Sequence, residues 1–270
     1  MEKVLTRKRP TPKWKPIMVV LFACILLIGV MGKGKMIAAV NPAIRYFEHQ
    51  MVAFQVRNYN QLETDNFIIK YQEVDKEVLD LVAETAEDKF NKVVKLFKYQ
   101  PNEKILLILY DNPQPMMKIT TLRKGTPPMG VYYGDTLHIL DPNHWVSDGE
   151  ELTEIFYKEG PVLHELVHLF VDHLAKGNFP IWFTEGVSLY FEYEVDEYQW
   201  GEGIDLSYGE YTLQQLTDSF HELDQYMAYT KSFRLVKSYV EENGLEALIG
   251  LVNDLGEGKD IEDYYHLFKE

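Results

Sequence analysis

The 270-residue chain is 46% hydrophobic and 26% charged, which excludes a disordered chain, a collagen-like repeat and a disulfide-stapled miniprotein. Its formal charge of −15 is unevenly divided: residues 1–40 hold eight Lys/Arg against Glu2, a net +7, and the other 230 hold 19 basic and 41 acidic groups, a net −22. So acidic a body excludes nucleic acid as its partner, and a lone cysteine, Cys24, excludes an intramolecular disulfide.

Lys3, Arg7, Lys8, Arg9, Lys13 and Lys15 lead into the apolar run 17–32. Basic residues followed by an apolar stretch predict a signal anchor, with residues 1–16 as a cytoplasmic tail and 17–40 as a transmembrane segment and its flank. Sixteen helical residues span about 24 Å, short of a hydrocarbon core of roughly 30 Å unless Trp14, Lys33 and Lys35 sit at the interfaces. The expected location is the cell membrane, single-pass, with residues 17–32 in the lipid bilayer and residues 41–270 extracellular. A cleaved signal peptide is the rival, with Ile37-Ala38-Ala39 as a poor cleavage site. Leu21-Phe22-Ala23-Cys24 loosely matches a lipoprotein box, but the apolar run continues past the cysteine, so Cys24 reads as lipid-facing.

Asn41-Pro42 has the form of an N-cap with proline at N1, and Ile44, Phe47, Met51 and Phe54 follow at helical spacing, so 41–60 is expected to be a juxtamembrane helix. Residues 67–71 read as a strand. From Asp75 a long amphipathic helix carries Val78, Leu81, Val82, Thr85, Phe90, Val93 and Phe97 on one face, and the apolar run 105–110 predicts a central strand. Four prolines and Gly125 make 111–128 a loop. Gly134-Asp135 splits 130–133 from 136–140 as a hairpin turn. The period is helical from Leu152 onward. The expected fold class is α+β: a small mixed sheet with a long helix over 61–150, then a mostly helical part over 151–270.

The chemistry centres on Pro161-Val-Leu-His164-Glu165-Leu-Val-His168-Leu-Phe. Two histidines four apart lie on one helix face, so both imidazoles can reach one Zn²⁺, while Glu165 is rotated off coordination but stays beside the attacking water. The bland alternative is a buried helix with two incidental histidines. A hydrolytic site needs a third ligand, and Glu185 fits: Pro180 can open a second helix, and the turn Lys176-Gly177-Asn178-Phe179 can fold it back onto the first. A metal would also explain the apolar neighbours of that glutamate, for which the bland alternative is a surface carboxylate.

His164-Glu-Leu-Val-His168 followed by Pro180-Ile-Trp-Phe-Thr-Glu185-Gly resembles the gluzincin metallopeptidases, specifically the compact peptidase MA-like domain, over roughly residues 60–270. The resemblance implies one Zn²⁺ per chain on His164, His168 and Glu185, Glu165 as general base, and peptide-bond hydrolysis. The Trp-x-x-Glu-Gly core is also similar to the M1 aminopeptidases, and Tyr229-Thr-Lys-Ser matches their oxyanion-stabilising Tyr-x-Lys-Gly at three of four places, implying that role for Tyr229. Two departures matter. Sixteen residues separate His168 from Glu185, slightly fewer than is typical of M1 enzymes. The Gly-x-Met-Glu-Asn motif that holds a substrate's free amino terminus is also absent, with Pro128-Met-Gly-Val in its place, so endopeptidase action is favoured.

His173 is about 140° round the helix from His168 and reads as a surface residue or a support behind the ligands; His138 and His144 lack metal-type spacing. Between Glu192 and Glu210 lie seven acidic residues and no Lys or Arg, read as a solvated loop with a substrate rim or calcium site as the alternative. The acidic body favours basic peptide substrates. The rival functions are a noncatalytic zinc-binding domain and a metal-free, membrane-tethered structural domain.

Overall fold

The computed structural model describes residues 32–122, 125–147, 149–205 and 211–269. Its organising strand is β3, Ile105–Tyr110, whose six apolar residues are all buried. A strand with no polar alternation must be covered on both faces, and β3 occupies the middle of a five-stranded sheet of order β1-β2-β3-β5-β4. It pairs in parallel with β2, Phe67–Tyr71, and β5, Thr136–Leu140; β1, Asn60–Glu63, and β4, Gly130–Tyr132, are antiparallel edges. The expected hairpin is present, with Gly134 and Asp135 both at positive φ (58° and 54°) in its turn.

Alternate residues of β3 feed two cores. Ile105, Leu107 and Leu109 join the main cluster with α2, Lys76–Phe97, and the later helices. Leu106, Ile108 and Tyr110 face the other way, against Val52 and Val56 of the N-terminal region and Met116 and Ile119 of α3, Pro113–Ile119. The helix α3 corrects the expectation of a loop over 111–128. Asn112 caps it, accepting a hydrogen bond from the Gln114 amide, and Pro113 and Pro115 fall in the first turn, where missing amide donors cost nothing.

The N-terminal expectations are corrected more substantially. The described residues have the α+β class, and among them no helix is long and apolar enough to cross a membrane, contrary to the expected transmembrane element; the apolar run to residue 31 lies outside the described residues. The expected flank is instead the start of α1, Lys33–Gln55, which continues through Pro42 rather than beginning there. Its small inward residues explain this. Gly34 and Ala38 are buried, and a Cβ on Gly34 would meet the Gly258 carbonyl oxygen at 2.7 Å and Asn178 Nδ2 at 2.8 Å. Docking against the C-terminal region thus extends the helix past its local start signal.

The helical part comprises α4 (Leu152–Glu159), α5 (Val162–Ala175), α6 (Ile181–Asp196), α7 (Leu213–Ser219), α8 (Gln225–Asn243) and α9 (Leu245–Gly256). Apolar residues on nearly every face of α5 make it a central helix. Lys176 and Gly177 take positive φ in the turn that returns the chain as α6. Close approach is built into two glycines. A Cβ on Gly130 would meet Pro161 at 2.5 Å, seating β4 on the start of α5, and one on Gly186 would meet the Ser232 carbonyl oxygen at 2.4 Å, seating α6 on α8.

Candidate metal centre

The α5–α6 turn brings the expected residues to one point. His164 Nε2 lies 3.1 Å and His168 Nε2 3.4 Å from the same oxygen of Glu185, Oε2. One donor atom from each of the three residues falls within 4.8 Å of the others. All three side chains are largely buried. Two imidazoles and a carboxylate form the donor set of a three-ligand site with an open position, so the cluster fits a metal ion such as zinc.

The other imidazole nitrogens are held as well. His168 Nδ1 is 2.7 Å from Thr184 Oγ1, and His164 Nδ1 is 3.3 Å from Glu192 Oε1. With both Nε2 atoms turned inward, each Nδ1–H has an acceptor, the arrangement that fixes ring tautomer and orientation around a metal. Burial disfavours charge on His164, but Glu192 and Glu185 carry its pKa well above the ordinary imidazole value. Burial likewise opposes ionisation of Glu185, yet the His168 and His164 rings hold it far below the usual carboxylate range.

Glu165 points to the sheet. Its Oε2 accepts a hydrogen bond from the Tyr132 amide of β4 at 2.6 Å, and burial pushes its pKa up against the lowering effect of the two histidines. Tyr132 is itself braced, since its hydroxyl donates to Asp172 Oδ2 at 2.8 Å, an oxygen that also accepts from Arg45 of α1 at 3.1 Å. Tyr229, on α8, completes the group. Burial first, and then the negative charge of the Glu185 carboxylate, raise its pKa strongly, so the phenol stays protonated.

His164, Glu165 and Tyr229 line a cleft of about 590 Å³, whose wall also includes Met129 and Gly130 on the β4 side and Trp200. The remaining histidines lie elsewhere. Buried His138 bonds Tyr110 and Tyr133 within the sheet region, His144 bonds the Asp111 carbonyl, and His173 pairs with Asp135 and Tyr99.

Sequence reasoning misses Glu192 and Thr184. Glu192 reads as part of a solvated acidic loop, although it lies seven residues, two helical turns, beyond Glu185 and so on the same face of α6. Asp196 also departs from that grouping, being ion-paired with Lys89 in a buried contact at 4% and 1% side-chain exposure. The Tyr132 amide has no sequence signal, because it depends on where an edge strand meets α5.

A mixed sheet beside a helix pair bearing two histidines, an intervening glutamate and a carboxylate on the second helix defines a zincin-like protein. A family profile of the Peptidase MA superfamily matches residues 85–267. The chain belongs to that superfamily. A search of curated proteins finds no match.

Proposed function

We propose that the protein is a zinc-dependent metallopeptidase that cleaves peptide bonds within a chain. The observation that carries this reading is the convergence of His164, His168 and Glu185 on one point, with Glu165 beside them at the wall of an open cleft. Bound there, zinc would supply Lewis acidity towards the scissile carbonyl and the attacking water. Glu165, with its pKa raised by burial, is suited to accept a proton from that water and pass it to the leaving amine. The Tyr132 amide fixes one oxygen of that carboxylate against β4, at the wall of the cleft. Tyr229, a phenol held in its protonated form, can donate to the oxyanion of the tetrahedral species, an effect typically worth about 3–4 kcal/mol. Action within a chain is favoured because the wall segment 127–130 offers no carboxylate to hold a free amino terminus.

The test combines metal analysis of the purified chain with a mixed peptide library. About one zinc per chain is expected, lost in His164→Ala or His168→Ala. Glu165→Gln should keep the metal and lose hydrolysis by about 10²-fold or more. Stoichiometric zinc in the double histidine variant, or full activity in Glu165→Gln, would remove the assignment. A zinc-loaded wild-type chain that cleaves nothing in the library would favour a noncatalytic zinc domain.

A further inference from the structure

Val40, Ile44, Phe47, Met51 and Phe54 of α1 are each between 48% and 65% exposed. At roughly 100° per residue they fall within an arc of about 80°, forming one stripe about 21 Å long. The opposite side of the helix is the docked one: Gly34, Ala38 and Val52 are buried, and Asn41 and Arg45 bond Asp172. Thus α1 buries its small and polar residues and turns its largest apolar ones outward, the inverse of an ordinary surface helix. Scattered exposed apolar residues need no explanation, but a continuous stripe marks an interaction surface.

Charge identifies what the stripe meets. Residues 32–57 hold four Lys/Arg (Lys33, Lys35, Arg45 and Arg57) against Glu48, a net +3, whereas residues 58–270 hold 17 and 40, a net −23. The stripe lies in the positive part of the chain. Exposed Lys33 opens the helix, and at the far end the Arg57 guanidinium lies 4.0 Å from the Phe54 ring centroid, beside a groove that also includes Lys118. A second copy of this chain would bring like charge against like charge. An anionic lipid surface supplies the opposite sign, repels the acidic remainder, and accepts apolar side chains between its headgroups while the flanking cations stay at the phosphates.

We propose that α1 lies flat along an anionic phospholipid surface through the stripe Val40, Ile44, Phe47, Met51 and Phe54, orienting the acidic body away from it. The site is separate from the metal centre and does not depend on the peptidase reading.

The test uses the full chain with Cys24→Ser, carrying a single Phe47→Cys or Met51→Cys labelled with an environment-sensitive fluorophore. Glu246→Cys on α9, where the native side chain is 85% exposed, serves as the reference. Each protein is bound to phosphatidylcholine vesicles containing 30% phosphatidylglycerol. The probes at 47 and 51 should shift to the blue, lose about threefold or more of their quenching by aqueous iodide, and be quenched by nitroxide carried near the lipid headgroup. The probe at 246 should show none of these changes. Iodide access at 47 and 51 equal to that at 246 would overturn the proposal. Protection from iodide without quenching by nitroxide lipid would overturn it too, since a second copy or residues 17–31 would then cover the stripe.

Discussion

Glu192 sits in the candidate metal centre as an orienting group rather than a ligand: it meets His164 Nδ1 at 3.3 Å, the side away from Glu185. Removing such a partner typically weakens metal binding by about 10–100-fold, so Glu192→Gln should raise the zinc dissociation constant by that order while the thermal midpoint of the metal-free chain stays near wild type. An unchanged constant in a chelator competition would mean that the contact does not steer the ring. His138 gives a prediction of another kind. Burial lowers its pKa to about 4, below the unfolded value of about 6.5, so between these values the unfolded chain binds the extra proton. The contribution is full above about pH 6.5 and is lost as pH falls towards 4, amounting to about 3 kcal/mol. Urea unfolding from pH 7 to pH 4 should therefore show a steeper loss of stability in wild type than in His138→Gln, and parallel curves would contradict it. At this scale the convergence of His164, His168 and Glu185 was legible because the two histidines lie four apart on one helix and a short turn returns the chain to them. Thr184 and Glu192 were obscured because polar groups on a helix read equally well as solvated.

Among the elements, the contact of α6 with α8 sets the distance between Glu185 and Tyr229. Gly186 makes that contact close, since a Cβ there would lie 2.4 Å from the Ser232 carbonyl oxygen, a backbone atom that cannot turn away. Overpacking of this kind costs about 1–3 kcal/mol, so Gly186→Ala should lower Tm by roughly 2–12 °C for a domain of this size. If the cleft cleaves peptides, the substitution should also reduce that cleavage by moving Glu185 and Tyr229 apart. Gly250 on α9 is the control, with nothing within 4 Å of its Cβ position; there alanine replaces a poor helix former by a good one and should stabilise by up to about 1 kcal/mol. Equal and negligible effects at the two positions would mean that the close crossing does not hold the helices. The α5–α6 pair could be read from sequence because its periodicity, prolines and turn agree with its tertiary position. Elsewhere they disagree. Pro42 marked a helix start that docking overrides, the prolines of α3 resembled loop punctuation although they occupy its first turn, and β1, Asn-Gln-Leu-Glu, lacks strand residues and forms by pairing with β2.

Across the whole molecule the excess of negative charge bears on what enters the cleft. Its described lining includes Glu150, Glu159, Glu165 and Glu192 but no Lys or Arg. Two of these carboxylates are already engaged, Glu165 by the Tyr132 amide and Glu192 by His164. Nor is Asp196 free to form a substrate rim, because Lys89 neutralises it. Glu150, which accepts a hydrogen bond from the Ser147 amide at 3.0 Å, and Glu159 are both exposed and so remain as the charges an incoming peptide meets. If the cleft cleaves peptides, Lys/Arg-rich sequences should be preferred, since exposed opposite charges each contribute about 0.2–1 kcal/mol. The paired change Glu150→Gln with Glu159→Gln should lower kcat/KM for a basic peptide by roughly 2–30-fold and leave that for a neutral peptide of equal length within about twofold, with zinc content unchanged. The difference should shrink as salt rises from 0.01 to 1 M, where the Debye length falls from about 30 to about 3 Å. An equal loss on both peptides, or a difference indifferent to salt, would place specificity in the shape of the cleft rather than in its charge.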